Sequence, residues 1–192
     1  MKTLIAVGGV ALSGKTTIAQ VLSGRLGFHH LDIDKIRIEI FGWEHISRPN
    51  PDITDLSSLL GSIDDVRERH ASYYMLLAFA EAFLEEGASV IVSANFRKEK
   101  YVNRLQEIAA KTESCLKLIH CRPPIENQEE MERRIKNKPF GESYNVQLAI
   151  TYKQYLWALC RQEEFRIPHL TIVTSKPLDV CEIEALNYIG SY

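Results

Sequence analysis

The sequence predicts an α/β domain in three layers, a five-stranded parallel sheet with helices on both faces and one helical segment acting as a lid. Two observations carry the prediction. Short apolar runs alternate along the chain with stretches whose apolar residues recur at helical spacing, the pattern of strands joined by crossover helices. The first of these runs ends in glycines and opens directly into a helix, which is a strand–loop–helix unit. Neither repeats nor low-complexity linkers divide the 192 residues, 45% of them hydrophobic, so a single domain over 1–192 is expected.

TLIAVG (3–8) reads as a buried parallel strand. After the glycine loop, Ile18, Val21, Leu22 and Leu26 fall on one helical face, and Gly27 stops that helix. FHHLDID (28–34) reads as a second strand whose end carries two acids. IRIEIFG and a proline-bearing stretch through Pro51 lead into an irregular Ser/Asp-rich segment over 52–66. A long helix over Val66–Glu86 sets Tyr73, Tyr74, Leu77, Ala80 and Leu84 at core spacing, and Gly87 ends it. SVIVSA (89–94) is the third strand and CLKLIHC (115–121) the fourth, with a helix over 101–111 between them. A highly charged helix over 126–138 runs into KPFGESYN, and another helix covers about 145–162. LTIVT (170–174) is the fifth strand and 178–189 a closing amphipathic helix.

Bulk charge narrows the partners. With 23 basic and 25 acidic residues the formal net charge is −2, which gives no broad pull toward nucleic acid or membrane. The four cysteines show no CxxC spacing and read as buried reduced thiols, in keeping with a cytoplasmic protein. No apolar run approaches the roughly 18 residues of a membrane helix. MKTLIAVGGVAL has the charged-then-apolar order of an export signal, but Lys15 interrupts it, no small-x-small cleavage pattern follows, and a helix starts at once. His29 and His30 are neighbours on a strand and point to opposite faces, so they read as packing residues and not as a shared metal site.

Gly9-Val-Ala-Leu-Ser-Gly14-Lys15-Thr16 satisfies GxxxxGK[ST] at every fixed position. Glycines let the backbone curl until its N–H groups point inward at phosphate oxygens, and the following helix adds its positive end. Lys15 is then placed to bridge the β- and γ-phosphates and Thr16 to put its hydroxyl on Mg²⁺. The expected nucleotide site comprises Gly9, Ala11, Leu12, Ser13, Gly14, Lys15, Thr16 and Thr17. The guanine-reading NKxD and the DxxG switch of GTPases are absent, and ATP with Mg²⁺ is the expected donor. Downstream, strand alternation sets Asp32 and Asp34 on one side at the carboxyl end of the sheet, where ligands bind in open α/β folds. Two acids there divide the labour: one holds Mg²⁺ through water while the other orients or deprotonates a hydroxyl.

With the phosphate loop, DID followed by IR and FG, and then VIVSANF on the page, the chain resembles the small P-loop kinases over most of residues 3–180. That group takes in shikimate and gluconate kinases, polynucleotide 5′-hydroxyl kinases, chloramphenicol phosphotransferase and zeta-toxin-like kinases, and the nearest likeness is to kinases grouped with the polynucleotide-kinase-like ATPases. The resemblance implies a P-loop NTPase fold of nucleoside-monophosphate-kinase type, with an acceptor-binding insertion over about 38–86 and a lid over about 130–145. It implies Asp34 as the acid on the substrate hydroxyl, Arg37 as an acceptor-holding arginine and Asp32 as the metal-side acid. Arg134, with Arg133 or Lys138, is implied to reach the transferred phosphoryl group or the nucleotide, and the Thr174–Pro177 loop to pack against adenine. Ser93, Asn95 and Arg97 lie where the acceptor is bound. Relatives commonly carry Asp or Glu at the position of Ser93, and a serine brings no negative charge.

The leading expectation is therefore an ATP-dependent kinase with a small-molecule hydroxyl acceptor, working as a monomer or homodimer. The Ser47–Asp65 segment is rich in hydroxyls and acids, which disfavours a polyanionic acceptor such as a nucleic-acid end. A polynucleotide 5′-hydroxyl kinase and a nucleotide-binding regulatory protein with weak catalysis, the latter motivated by Ser93, stand as the other readings.

Overall fold

The structure is a computed structural model that describes residues 2–41, 63–96, 98–137, 152, 156 and 165–190. In chain order the elements are β1 (Thr3–Gly8), α1 (Lys15–Leu26), β2 (His29–Asp32), α2 (Ile33–Phe41), α3 (Ile63–Glu85), β3 (Val90–Ser93), α4 (Glu99–Lys111), β4 (Cys115–Arg122), α5 (Gln128–Lys136), β5 (Leu170–Val173) and α6 (Leu178–Gly190). The five strands form one sheet in the order β2-β3-β1-β4-β5, every neighbouring pair parallel. Sheet order reverses at β1, and that switch point is where an open α/β sheet opens a crevice beyond its carboxyl ends.

Strand alternation separates two cores. Leu4, Ala6, Val90, Val92 and Leu118 face α3 and α4, where Leu76, Ala80, Leu84, Leu105 and Ile108 complete one layer. Ile5, Val7, Ile91, Ile119 and Ile172 face α1 and α6, packing on Ile18, Leu22, Cys181 and Ala185. A sheet buried on both faces explains the nearly unbroken apolar runs, since neither side needs polar residues. The three-layer α/β/α P-loop fold expected from the sequence is the fold observed. Cys115, Cys121 and Cys181 are free thiols, while Cys160 lies outside the described residues. No helix among the described residues is long and apolar enough to cross a membrane.

Two boundaries differ from the sequence reading in ways that matter for function. The second strand ends at Asp32, not Asp34, and α2 begins at the next residue. Asp32 turns the chain because its Oδ1 accepts the backbone N–H groups of Asp34 (2.8 Å) and Lys35 (3.3 Å), capping donors that would otherwise be left open at a helix start. Asp34 therefore belongs to a helical first turn, and strand alternation does not set its direction. The long helix begins earlier than expected, at Ile63. Of the helix expected over 145–162, only Tyr152 and Leu156 are described, and Arg97 and Lys138 lie outside the described residues.

Tyr73 shows how α3 supports the crevice. Its ring stacks on Tyr101 at 3.8 Å between centroids, and its hydroxyl accepts the backbone N–H of Phe96 at 3.0 Å. Phe96 sits at φ 46°, a left-handed conformation that a bulky residue adopts only when held there. Tyr73→Phe leaves that buried N–H without its acceptor, so a loss of about 1–3 kcal/mol is expected. Thermal denaturation reads it as a midpoint lowered by roughly 2–10 °C; an unchanged midpoint would show that the hydroxyl does not hold the loop.

Candidate active site

The loop between β1 and α1 has the backbone of a phosphate cradle. Gly9 (φ 145°), Leu12 (φ 61°) and Gly14 (φ 80°) all take positive φ, which curls the chain tightly ahead of the helix. A Cβ on Gly9 would stand 2.4 Å from Ser13 Oγ and 2.5 Å from the Cys121 carbonyl oxygen, so nothing larger than glycine fits. Gly9→Ala should distort the loop, costing about 1–3 kcal/mol of stability as overpacking does. Nucleotide affinity measured with it should fall, and an alanine variant that binds nucleotide as tightly as the parent would contradict this geometry. Gly14 is the N-cap of α1 and no side chain caps that helix, leaving its first-turn N–H groups to a ligand. Ser13 is fully buried, and its Oγ finds no hydrogen-bond partner among the described residues.

Lys15 is only 7% exposed. It lies close enough to Cys121 that its charge lowers the thiol pKa, although burial dominates and pushes that thiol up to about 12. Thr16 donates its hydroxyl to Asp32 Oδ2 at 3.2 Å. Asp32, 5% exposed, receives a second donor on the same oxygen from Ser93 Oγ at 2.8 Å. The parallel register pairs Asp32 with Ser93 directly. His30 Nε2 lies 2.8 Å from Ser93 Oγ, and burial lowers the pKa of its imidazole against the opposing pull of the Asp32 charge.

These groups fit a triphosphate with a hard cation. The cradle excludes a Cβ at Gly9, the helix start offers uncapped N–H donors, and a hydroxyl is tied to a buried acid beside them. Magnesium asks for little more from a protein, since it keeps water and phosphate oxygens as most of its ligands.

Beyond β2, α2 carries Asp34 in its first turn and Arg37 three residues on, which places them on neighbouring positions of one helix face. Arg37 is 8% exposed and pairs with Glu68 of α3 at 3.5 Å. At the Tyr73–Phe96 corner, burial raises the phenol pKa of Tyr73 above its ordinary value, with smaller upward contributions from Tyr101 and Asp34. Asn95, in the same corner, has a buried Oδ1 with no partner among the described residues.

On the other side of the loop, Leu12, Gly14, Thr17, Arg133, Arg134, Thr174 and Lys176 line a cavity of about 430 Å³. Arg134 spans its wall. One guanidinium nitrogen donates to the Leu12 carbonyl (3.1 Å) and to Thr174 Oγ1 (3.0 Å), and the other donates to the Thr174 carbonyl (2.5 Å). Glu130 accepts from both Arg133 and Arg134, and those hydrogen bonds, the one from Arg133 first, hold its carboxyl down at about 2. Pro177 is exposed between Lys176 and α6.

The structure thus brings Thr16, Asp32 and Ser93 together with Lys15 next to Thr16, puts Asp34 and Arg37 on the helix that Asp32 caps, buries Asn95 Oδ1 past the end of β3, and gathers Arg133 and Arg134 around the cavity. Sequence reasoning missed His30, Tyr73 and Glu68 as participants. For His30 a signal was present: it stands two residues before Asp32 on a strand, and so on the same face.

A family model described as an AAA domain, AAA_33, matches residues 4–152. No curated protein matches the chain. Among solved structures, a sugar kinase from Janibacter sp. HTCC2649 is similar at 18% identity with a TM-score of 0.65, covering 98% of this chain and 95% of that one. An APS kinase from Mycobacterium tuberculosis in complex with AMPPNP and APS is similar at 16% identity with a TM-score of 0.64, covering 98% and 97%. A gluconokinase from Sinorhizobium meliloti 1021 is similar at 17% identity with a TM-score of 0.62, covering 99% and 92%. These likenesses are of fold.

Proposed function

The chain belongs to the AAA_33 family, and on that premise we propose that it is an ATP-dependent kinase that transfers the γ-phosphoryl group to a hydroxyl of a small-molecule acceptor. The observation that carries the reading is the position of Asp34. It follows by two residues the acid that accepts the Thr16 hydroxyl, and its backbone N–H is held by that same acid, which supports reading it as the acceptor-side carboxylate. The kinase folds to which this chain is similar, one of them holding AMPPNP, support the same reading.

In this mechanism residues 9–17 hold the triphosphate and Lys15 neutralises charge on its β- and γ-phosphates. Thr16 and Asp32 would hold Mg²⁺, which supplies further neutralisation of the transferring group. Asp34 accepts the proton as the acceptor oxygen bonds to the γ-phosphorus and the bond to the β–γ bridging oxygen breaks. Arg37 and Asn95, with Arg97, hold the acceptor, while residues about 38–86 form its lobe. The cavity beside Arg133, Arg134 and Pro177 takes the nucleoside, and the segment over about 130–145 excludes water from the transfer.

An acceptor-stimulated ADP-release screen over sugars, nucleosides, hydroxy acids, antibiotics and a 5′-hydroxyl oligonucleotide tests the proposal. Stimulation by a small hydroxyl compound is expected. Stimulation by the oligonucleotide alone would make the chain a polynucleotide kinase, and ATP binding without stimulation by any acceptor would favour a regulatory protein.

A further inference from the structure

The residue that departs from the pattern of the small P-loop kinases is Ser93, and its surroundings show how the departure is compensated. Ser93 is fully buried at the end of β3, and its hydroxyl has a single proton to give. A carboxylate accepts and does not donate, so the 2.8 Å contact with Asp32 Oδ2 takes that proton. The 2.8 Å contact between Ser93 Oγ and His30 Nε2 must then run the other way, with the ring nitrogen as donor. Imidazole with its hydrogen on Nε2 and imidazolium both supply that donor, so the direction of the chain does not depend on the charge of the ring. The result is a one-way line of donors from His30 through Ser93 to Asp32, meeting Thr16 on the same carboxylate oxygen.

We infer that His30 is a positioning residue for the metal-side acid: by fixing the Ser93 hydroxyl it fixes the Asp32 carboxylate, and so the Thr16 hydroxyl that would meet Mg²⁺. Serine and histidine together thereby do by orientation what a second acid does by charge. His30 suits the task because strand alternation puts it on the same side as Asp32, and Leu31 between them points away. Without His30 the Ser93 rotor is free to turn its proton elsewhere, and Oδ2 loses one of its two side-chain donors.

This inference rests on the reading of residues 9–17 as an ATP–Mg²⁺ site, and it is tested by binding and not by turnover. The affinity of a fluorescent ATP analogue is measured across a Mg²⁺ titration and again in excess chelator, for the parent protein, His30→Phe, His30→Gln and Ser93→Ala. Loss of a partner one bond from a metal ligand costs 10–100-fold in metal affinity, and His30 acts one bond further out, so a rise of about 3–10-fold in half-saturating Mg²⁺ is expected for His30→Phe. Ser93→Ala, which removes the donor bonded directly to Asp32, should show the larger rise of about 10–100-fold. His30→Gln, which retains an N–H donor, should titrate close to the parent, and all four proteins should bind nucleotide equally in chelator. The double variant His30→Phe/Ser93→Ala should be no worse than the poorer single one, since both act on one line of hydrogen bonds.

A parent-like Mg²⁺ titration of His30→Phe overturns the inference. So does a glutamine variant as impaired as the phenylalanine one, or a loss of affinity that is equal with and without Mg²⁺, which marks a purely structural role. If His30→Phe does not fold, Ser93→Ala and His30→Gln still decide between these results. A parent protein whose nucleotide binding ignores Mg²⁺ altogether overturns the ATP–Mg²⁺ reading, and this inference with it.

Discussion

Asp34→Asn is expected to lower acceptor phosphorylation about 10²–10⁴-fold, the range over which a positioned general base contributes, while nucleotide affinity stays where it was. Asparagine matches aspartate in size and leaves the backbone N–H of residue 34 available to Asp32 Oδ1, so the start of α2 persists. What it loses is the ability to take the hydroxyl proton. On the proposed mechanism the triphosphate is held by residues 9–17, which the substitution leaves unaltered, so donor binding should survive. Acceptor-stimulated ADP release and analogue binding, measured side by side, check both halves. Turnover retained within a fewfold would remove Asp34 from its role as base.

Lys15→Ala should be as severe and of a different kind, with transfer down by 10²–10³-fold or more, as when a preorganised donor to a developing charge is removed. Here nucleotide affinity should fall too, because on the proposed mechanism the lysine would meet the phosphates in ground state and transition state alike. The residue is 7% exposed, in a setting where a cation acts through little water and its charge is felt strongly. No side-chain hydrogen bond or ion pair ties Lys15 to the sheet among the described residues, so thermal denaturation should show a folded protein. A variant with parent-like affinity and rate would undo the donor half of the scheme.

The features legible in the sequence are those set by local period and local chemistry. Strands β1, β3, β4 and β5 were visible as largely apolar runs because both sheet faces are buried, and the loop from Gly9 to Thr16 was visible because its spacing is a backbone requirement. Helix α2 was not. Ile33, Ile36, Ile38 and Ile40 are β-branched and blur the helical period, although an acid cap at Asp32 followed by apolar residues at 33, 36 and 40 carried the signal. The site divides in the same way. Thr16 and Lys15 follow from the motif alone. The bond between Ser93 and Asp32 joins residues 61 apart, and exists only because β2 and β3 are neighbours in register. Arg134 could be recognised as a cation near the site, yet its contacts with Leu12 and Thr174 span 122 and 40 residues, and no local pattern encodes them.

The two oxygens of Asp32 face different halves of the crevice. Oδ2 meets Thr16 of the glycine loop, and Oδ1 meets the amides that launch the helix bearing Asp34. On the proposed function one carboxyl carbon joins the donor and acceptor sites, and a torque applied to the carboxylate at either would be delivered to the other. In thermodynamic terms this is a coupling free energy, and coupling is reciprocal: any factor by which a donor tightens the grip on an acceptor is the factor by which the acceptor tightens the grip on the donor. Synergy between substrates would then be a property of a single side chain, with no domain movement required to carry it.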